Sequence, residues 1–361
     1  MSTFNYKKAQ LVLENGSIFH GYSFGFPVST SGEVVFNTGM VGYPESLTDP
    51  SYAGQILSLT YPLIGNYGVP EIISENGLIK NFESHKIQVK GLVVQDYSNE
   101  YSHYQGQKSL AKWLNTEKIP AITGVDVRAL TKLLREKGSM LGKIIIDKDV
   151  EQFDPNSFNI VDDISIHKPV VYGSKGKKIL LIDCGVKNNI IYSFLNRGAQ
   201  VIRVPWNFDF FAKDFQYDFD GLFISNGPGD PSKCIETVAN IKKALEKEIP
   251  TFGICLGNQL LAIAAGASTY KLKYGHRSQN QPVYIVGEKK AFITSQNHGF
   301  AVQDSSLPKD WEPWMRNAND DTNEGIRHKS KPFFSVQFHP EANPGPVDTA
   351  FLFDDFLKVL K

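Results

Sequence analysis

Pro250-Thr-Phe-Gly253-Ile-Cys255-Leu-Gly257-Asn-Gln259-Leu-Leu-Ala-Ile-Ala-Ala265 reads as a buried strand running into a helix, with a cysteine at the corner. The residues before Cys255 form a short apolar run, and the Leu- and Ala-rich run from Asn258 to about Ala265 predicts a helix. Gly253 and Gly257 stand two residues to either side of the cysteine, the register of a G-x-S-x-G elbow with sulfur in place of oxygen. Such a corner is strained, and glycines at these two places remove the clashes that close packing of strand and helix would cause. The helix turns its positive end toward the sulfur and favours the thiolate, the reactive species. The ordinary reading of a free cysteine is a small buried hydrophobe. That reading suffices for Cys184, at a strand end without glycines in register, and for Cys234, in a loop or first helical turn. Cys255 alone combines residue type, glycine register and strand–turn–helix context.

Working outward, Lys178 to Ile182, Gln200 to Val204 and Gly221 to Ser225 are further apolar strands, separated by helical patterns over Asn188 to Asn196 and Glu236 to Glu246. Continuous apolar strands alternating with helices predict an α/β domain: a mostly parallel sheet flanked by helices on both faces. From Tyr270 onward the pattern turns to short strands and turns, and a last helix places Phe353, Phe356, Leu357 and Leu360 at helical spacing. From Gln10 to about Ile146 short β-rich runs mix with turns and with two helical patterns, about Lys108 to Asn115 and Val125 to Glu136, the second stopped by Gly138. This half reads as an α+β domain. Asp154-Pro155-Asn156, Lys168-Pro169 and Gly173-Ser-Lys-Gly176 punctuate the stretch between them. The expected organisation is therefore an N-terminal domain over 1–150, a linker over 151–176 and a C-terminal domain over 177–361, in keeping with a chain of 361 residues.

Hydrophobic residues make up 41% of the chain, charged residues 21%, and Lys+Arg balance Asp+Glu at 38 each. A nucleic-acid partner is not expected, because the longest basic run, Lys175 to Lys178 around Gly176, is short and falls in the linker. No stretch approaches the roughly 20 continuous apolar residues of a spanning helix, so no membrane is expected. The strand-like run Ala9 to Leu13 leaves no room for a leader. Three cysteines without paired spacing make neither a disulfide framework nor a metal site. A cytoplasmic, reducing setting follows as the expectation.

A cysteine nucleophile needs a base and a group to orient it. Phe333-Phe-Ser-Val-Gln-Phe-His339-Pro-Glu341 offers both just past an alternating strand: His339 can reach the thiol, and Glu341 can accept from the other ring nitrogen. The loop Ser225-Asn-Gly227-Pro-Gly229-Asp-Pro231 leaves a strand at its carboxyl end, where ligands bind open α/β sheets. It could pair with the Leu256 amide as an oxyanion hole, or serve simply as a connection.

In this order, Ser225–Pro231, Gly253–Gln259 and His339–Glu341 resemble the class I glutamine amidotransferases, whose Cys-His-Glu triad hydrolyses glutamine and hands ammonia to a synthase. The likeness covers residues 178–361. Gly39–Tyr52, Leu59–Gly68 and Gly124–Thr131 resemble the amino-terminal domain specific to the small subunit of carbamoyl-phosphate synthetase. The resemblance implies Cys255, His339 and Glu341 as the triad, and contacts to L-glutamine from Ser51, Gly227, Gly229, Leu256, Gln259, Asn297, Gly299 and Phe300. His298 is read as a structural or loop histidine. It further implies a large synthetase subunit as partner, carrying ATP and Mg, with no cofactor and no metal in this chain. Asn258 stands where many relatives have His, and a tuning effect on rate is the most that this change predicts.

Three other readings compete: an amidotransferase feeding a different acceptor such as chorismate or a purine nucleotide, a γ-glutamyl peptide hydrolase, and a non-catalytic regulatory or binding subunit. The N-terminal motifs weigh against the first. Whether the product would feed arginine or pyrimidine synthesis is open at this level.

Overall fold

The computed structural model describes residues 7–360, so Met1 and Lys361, the outer ends of the two expected domains, lie outside the described residues. Two compact units result. The first takes 1–75 and 79–157 and the second 76–78 and 158–361.

In the first unit the short strands close on themselves. Lys8–Leu13, Met140–Ile145, Thr30–Asn37, Gln55–Leu59, Gly91–Val93, Ala121–Thr123 and Ile18–Ser23 follow one another around a barrel. Closure comes from a pairing far apart in sequence, Gln10 opposite Ile145 and Leu13 opposite Gly142, which local patterning does not reveal. Helix Val127–Lys137 begins where the Asp126 carboxylate accepts the Ala129 N–H at 2.9 Å and ends at Gly138, with Val127, Leu130 and Leu134 buried as its period suggested. The other expected helix runs Leu110–Thr116 from a Ser109 cap, and a short helix, Tyr43–Thr48, adds to the two that the pattern suggested. The α+β expectation holds, with the sheet closed into a barrel.

The second unit is built on one sheet of ten strands among the described residues. At its centre Gln200–Pro205, Lys178–Asp183, Gly221–Ile224, Thr251–Ile254 and Phe333–Val336 lie side by side and parallel. Successive residues of these strands alternate between two apolar layers, as a period of two requires. Ile179, Leu181, Phe223, Phe252 and Ile254 pack with Phe194, Phe353 and Phe356 on one face. Leu180, Ile182, Leu222 and Ile224 pack with Ile241, Leu256, Leu260 and Leu261 on the other. Both faces are thus covered by helices, Asn188–Leu195 and Phe351–Val359 on the first, Ile235–Glu246 and Leu256–Ala265 on the second.

The stretch after Tyr270 departs from the expected short strands. Thr269–Ile285 and Ala291–Val302 form a long antiparallel ribbon, joined to the parallel block through Trp311–Asn317 and Asn323–His328. Register shifts between Lys271 and His276 and between Ser278 and Gln281 interrupt the ribbon and blur the alternation that would mark a long strand. Within 151–176, Val170–Tyr172 pairs antiparallel with Gln200–Pro205 as the sheet's edge, and Ile160 and Val161 are buried. Among the described residues no helix is long and apolar enough to cross a membrane.

Phe353 stacks edge-on to Phe194 with ring centroids 5.0 Å apart and is fully buried against the sheet. Phe353→Ala should cost about 3–5 kcal/mol of unfolding free energy, read from the urea midpoint. An unchanged midpoint would show that this helix is not part of the cooperative core.

Candidate functional site

The strand Thr251–Ile254 ends at Cys255 and the helix Leu256–Ala265 starts at the next residue. Cys255 takes φ +56° and ψ −105°, a left-handed conformation that costs a non-glycine residue roughly 1–3 kcal/mol. The neighbours hold it there: the Cys255 N–H donates to the Val336 carbonyl at 2.9 Å, and its own carbonyl accepts from Asn258 N–H at 3.0 Å. A Cβ on Gly257 would collide with the Ile224 carbonyl, and one on Gly253 with the backbone of Gly257 and Asn258. Those contacts give the two glycines the role their register suggested. The sulfur itself donates to the Asn297 carbonyl at 3.6 Å.

His339 arrives from the adjacent strand Phe333–Val336, its N–H bound to the Ser295 carbonyl at 2.9 Å. Its Nδ1–H donates to Glu341 Oε1 at 2.6 Å, which leaves Nε2 as the free nitrogen of the ring. Nε2 makes no conventional hydrogen bond, and Cys255 is its electrostatic partner. Burial disfavours the charged imidazole, but Glu341 first and Cys255 second outweigh that and push its pKa up to about 10.

Behind Glu341 stands Lys187, its Nζ 3.0 Å from the same Oε1 and donating to the Ala342 carbonyl at 2.6 Å. Burial would raise the Glu341 carboxyl, yet Lys187 first and His339 second hold it down to about 2. The Asn189 amide donates to the Glu341 main-chain carbonyl. Sequence reasoning passed over Lys187. The signal was present, a lysine just past Gly185 at the carboxyl end of a parallel strand, but nothing in the sequence pairs it with a residue 154 positions on.

Several of the residues expected to touch glutamine gather around this row. Gln259 Nε2 donates to the Phe300 carbonyl at 2.9 Å and to Gln337 Oε1 at 3.1 Å. Asn297, Gly299 and Phe300 share one strand with the carbonyl that meets the sulfur. Gly227 packs so tightly on the Cys184 carbonyl and the Leu256 side chain that a Cβ would not fit. Gly229, at φ +83°, faces Ile160. Ser51 lies in the first unit, where its N–H donates to Asp49 Oδ1 at 2.9 Å. The sulfur and the imidazole are closed off from solvent, Cys255 and His339 being each 2% exposed. A tight turn at the elbow packs the thiol under Asn297, so a substrate must part these groups to reach it.

His298 is fully engaged in supporting that strand. Its ring contacts the Phe300 carbonyl at 2.9 Å and Gln296 Oε1 at 3.2 Å. Burial pulls its pKa well below the usual histidine value. Nearby His276 is pushed up to about 9, the Asp320 and Glu324 carboxylates outweighing its burial. His276, His298 and Glu324 bring ligand-type atoms within 4.8 Å of one another, and the Asn317 amide donates to Glu324 across that space at 3.3 Å.

The description Glutamine amidotransferase class-I matches residues 180–359, and Carbamoyl-phosphate synthase small chain, CPSase domain, matches residues 11–144. The chain belongs to the carbamoyl-phosphate synthase small-chain family. It is 51% identical over 360 residues to human Carbamoyl-phosphate synthase [ammonia], mitochondrial, a match of 98% of this chain and 24% of the relative. Multifunctional protein CAD of Squalus acanthias is 54% identical over 358 residues, 97% of this chain and 16% of the relative. Multifunctional protein URA2 of Saccharomyces cerevisiae is 50% identical over 389 residues, 97% of this chain and 17% of the relative. The chain spans about a quarter or less of the length of these relatives.

In this small-chain family member the raised His339 pKa gives a signed expectation. Stability contributed by the protonated ring is fully present below the ordinary histidine value of 6.5 and is lost as pH rises through about 10. Between those values the urea midpoint should fall more steeply for the native chain than for His339→Gln. Parallel slopes would mean that the ring is not protonated in the folded state.

Proposed function

We propose that this chain hydrolyses L-glutamine to glutamate and ammonia and delivers the ammonia to a large carbamoyl-phosphate synthetase subunit. The observation that carries the reading is the row Cys255, His339, Glu341, with Lys187 behind it, in a chain whose two halves both match the small-chain family.

The chemistry follows from the roles that these positions allow. The Cys255 thiolate attacks the side-chain amide carbon, and the oxyanion that forms is held by backbone N–H groups at the elbow and the Gly227 loop. His339, protonated beside Glu341, gives its proton to the departing nitrogen, and the C–N bond breaks as ammonia leaves. A γ-glutamyl thioester remains. Water, deprotonated by His339, adds to it, the C–S bond breaks, and glutamate leaves with the thiolate restored. Glu341 keeps Nε2 directed at the sulfur throughout. Gln259, Asn297, Gly299 and Phe300 supply contacts for the amino-acid end of the substrate. The partner subunit uses ATP with Mg and bicarbonate to capture the ammonia, and both proteins work in the cytoplasm, where the free thiols of Cys184, Cys234 and Cys255 stay reduced.

A second reading has one observation in its favour. Relatives 51% identical to this chain are named for ammonia, which fits a chain that serves its synthetase without hydrolysing glutamine. The retained cysteine, imidazole and carboxylate favour the first.

Glutamate release from glutamine in the complex with the synthetase partner separates the two. Cys255→Ser should reduce glutamine-dependent synthesis by at least about 10³-fold while synthesis from added ammonia persists. Glutamine use surviving the substitution would remove Cys255 as the nucleophile, and no glutamate release from the native complex would establish the non-hydrolytic reading.

A further inference from the structure

Asp183 closes the central strand Lys178–Asp183 and is completely buried, its carboxylate among four donors. Oδ1 accepts from the Gly185 and Val186 N–H groups at 3.1 and 2.9 Å. Oδ2 accepts from Ile166 N–H and from Arg203 Nη2, both at 2.8 Å. The first pair bends the chain back immediately after the strand, with Gly185 at φ +116°. Two further bonds pin the ends of this turn to the glycine-rich loop: Cys184 N–H donates to Ser225 Oγ at 2.9 Å, and Lys187 N–H to Asn226 Oδ1 at 3.1 Å. From that position the Lys187 side chain meets Glu341 and the Ala342 carbonyl. A longer or looser turn would carry the ammonium away from a carboxylate for which it is the largest favourable charge.

We propose that Asp183 is a positioning residue of the amide-hydrolysing site, shaping the turn 184–187 so that Lys187 is held against Glu341 and Glu341 stays ionised beside His339. The inference rests on the hydrolytic reading above. An asparagine cannot replace it, because the amide would turn two donors toward the Ile166 N–H and the Arg203 guanidinium, where two acceptors are needed. The competing account makes Asp183 simply one half of a buried ion pair with Arg203, which holds the strands together and has no bearing on chemistry.

The two accounts differ in what pH does. With Lys187 displaced, Glu341 takes up a proton at a higher pH than before, so the acidic limb of the rate profile moves upward. Asp183→Asn, Lys187→Met and the double variant are compared in the complex with the synthetase partner, by glutamate release across pH. Each single variant should lower kcat by about 10–100-fold, raise the acidic limb and change KM by less than about threefold. The double variant should lie within about threefold of Lys187→Met, because both changes break one connection. Losses that multiply, or a lowered rate with an unmoved acidic limb, would overturn the proposal.

Should Asp183→Asn fail to fold, Asp183→Glu keeps the charge for Arg203 but displaces the turn, and native rate and profile in that variant would equally overturn it. If the native complex releases no glutamate, the hydrolytic reading fails and the positioning claim is read from alkylation of Cys255 by iodoacetamide across pH. A profile moved alike by Asp183→Asn and Lys187→Met supports it there, and a profile that neither moves refutes it.

Discussion

The second unit depends on placing charge where water cannot reach it. Lys187, Glu341 and His339 are all buried, and Glu341 Oε1 receives both the ammonium and the imidazole N–H. Removing such groups from water carries a penalty of several kcal/mol per ion, and only mutual pairing offsets it. Deleting one partner would strand another, at a cost of about 3–5 kcal/mol. The three side chains come from different parts of the chain, Lys187 after one central strand and the others after a parallel strand separated from it by two more. Each therefore needs the sheet to be in register before the row can exist. The sheet in turn tolerates buried charge at its carboxyl edge only because the row is complete.

The strain at Cys255 follows the same logic of local cost met by tertiary contacts. Positive φ at a cysteine is unfavourable in isolation, and the hydrogen bonds to Val336 and Asn258 hold it only once strand and helix are packed. Glycines at 253 and 257 allow the helix to lie directly on Ile224, and the apolar layer of Leu256, Leu260 and Leu261 then holds the helix down. The corner brings the sulfur to the Asn297 carbonyl and beside the imidazole while Cys255 still packs in the apolar layer that it shares with the preceding Ile254. Burial of the thiol is a consequence of that packing. It keeps bulk water from the sulfur, while obliging any substrate to displace the strand that carries Asn297 and Phe300.

How far the fold could be read before the structure was known depends on the range of the interactions involved. The elbow, the parallel strands and the helices Val127–Lys137 and Ile235–Glu246 are local, declared by period and by flanking glycines. Cys255, His339 and Glu341 were legible because residue chemistry and strand-end position coincide. The barrel escaped notice because Gln10 meets Ile145, and no local pattern encodes a closure over that separation. The ribbon 269–302 was masked by its register shifts. Lys187 and Asp183 were missed for a different reason: a lysine and an aspartate near a strand end look solvated until a partner is seen, and both partners are distant in sequence, Glu341 in a turn past another strand and Arg203 within a neighbouring one.

Asn258 shows what an amide in place of a ring does in such a setting. Its Nδ2 donates to Gln337 Oε1 at 3.1 Å, and its Oδ1 accepts from Ser335 Oγ at 2.8 Å. Gln337 Oε1 also accepts from Gln259, which reaches on to the Phe300 carbonyl. An imidazole there could donate and accept as well, but only in one tautomer, and protonation would set a cation in a fully buried space already close to the charged row. The amide has its donor and acceptor permanently assigned and no charge to acquire at any pH. Asn258 thus secures Gln259 from behind through neutral hydrogen bonds alone, while the buried charges stay with His339 and Lys187, both of which Glu341 pairs.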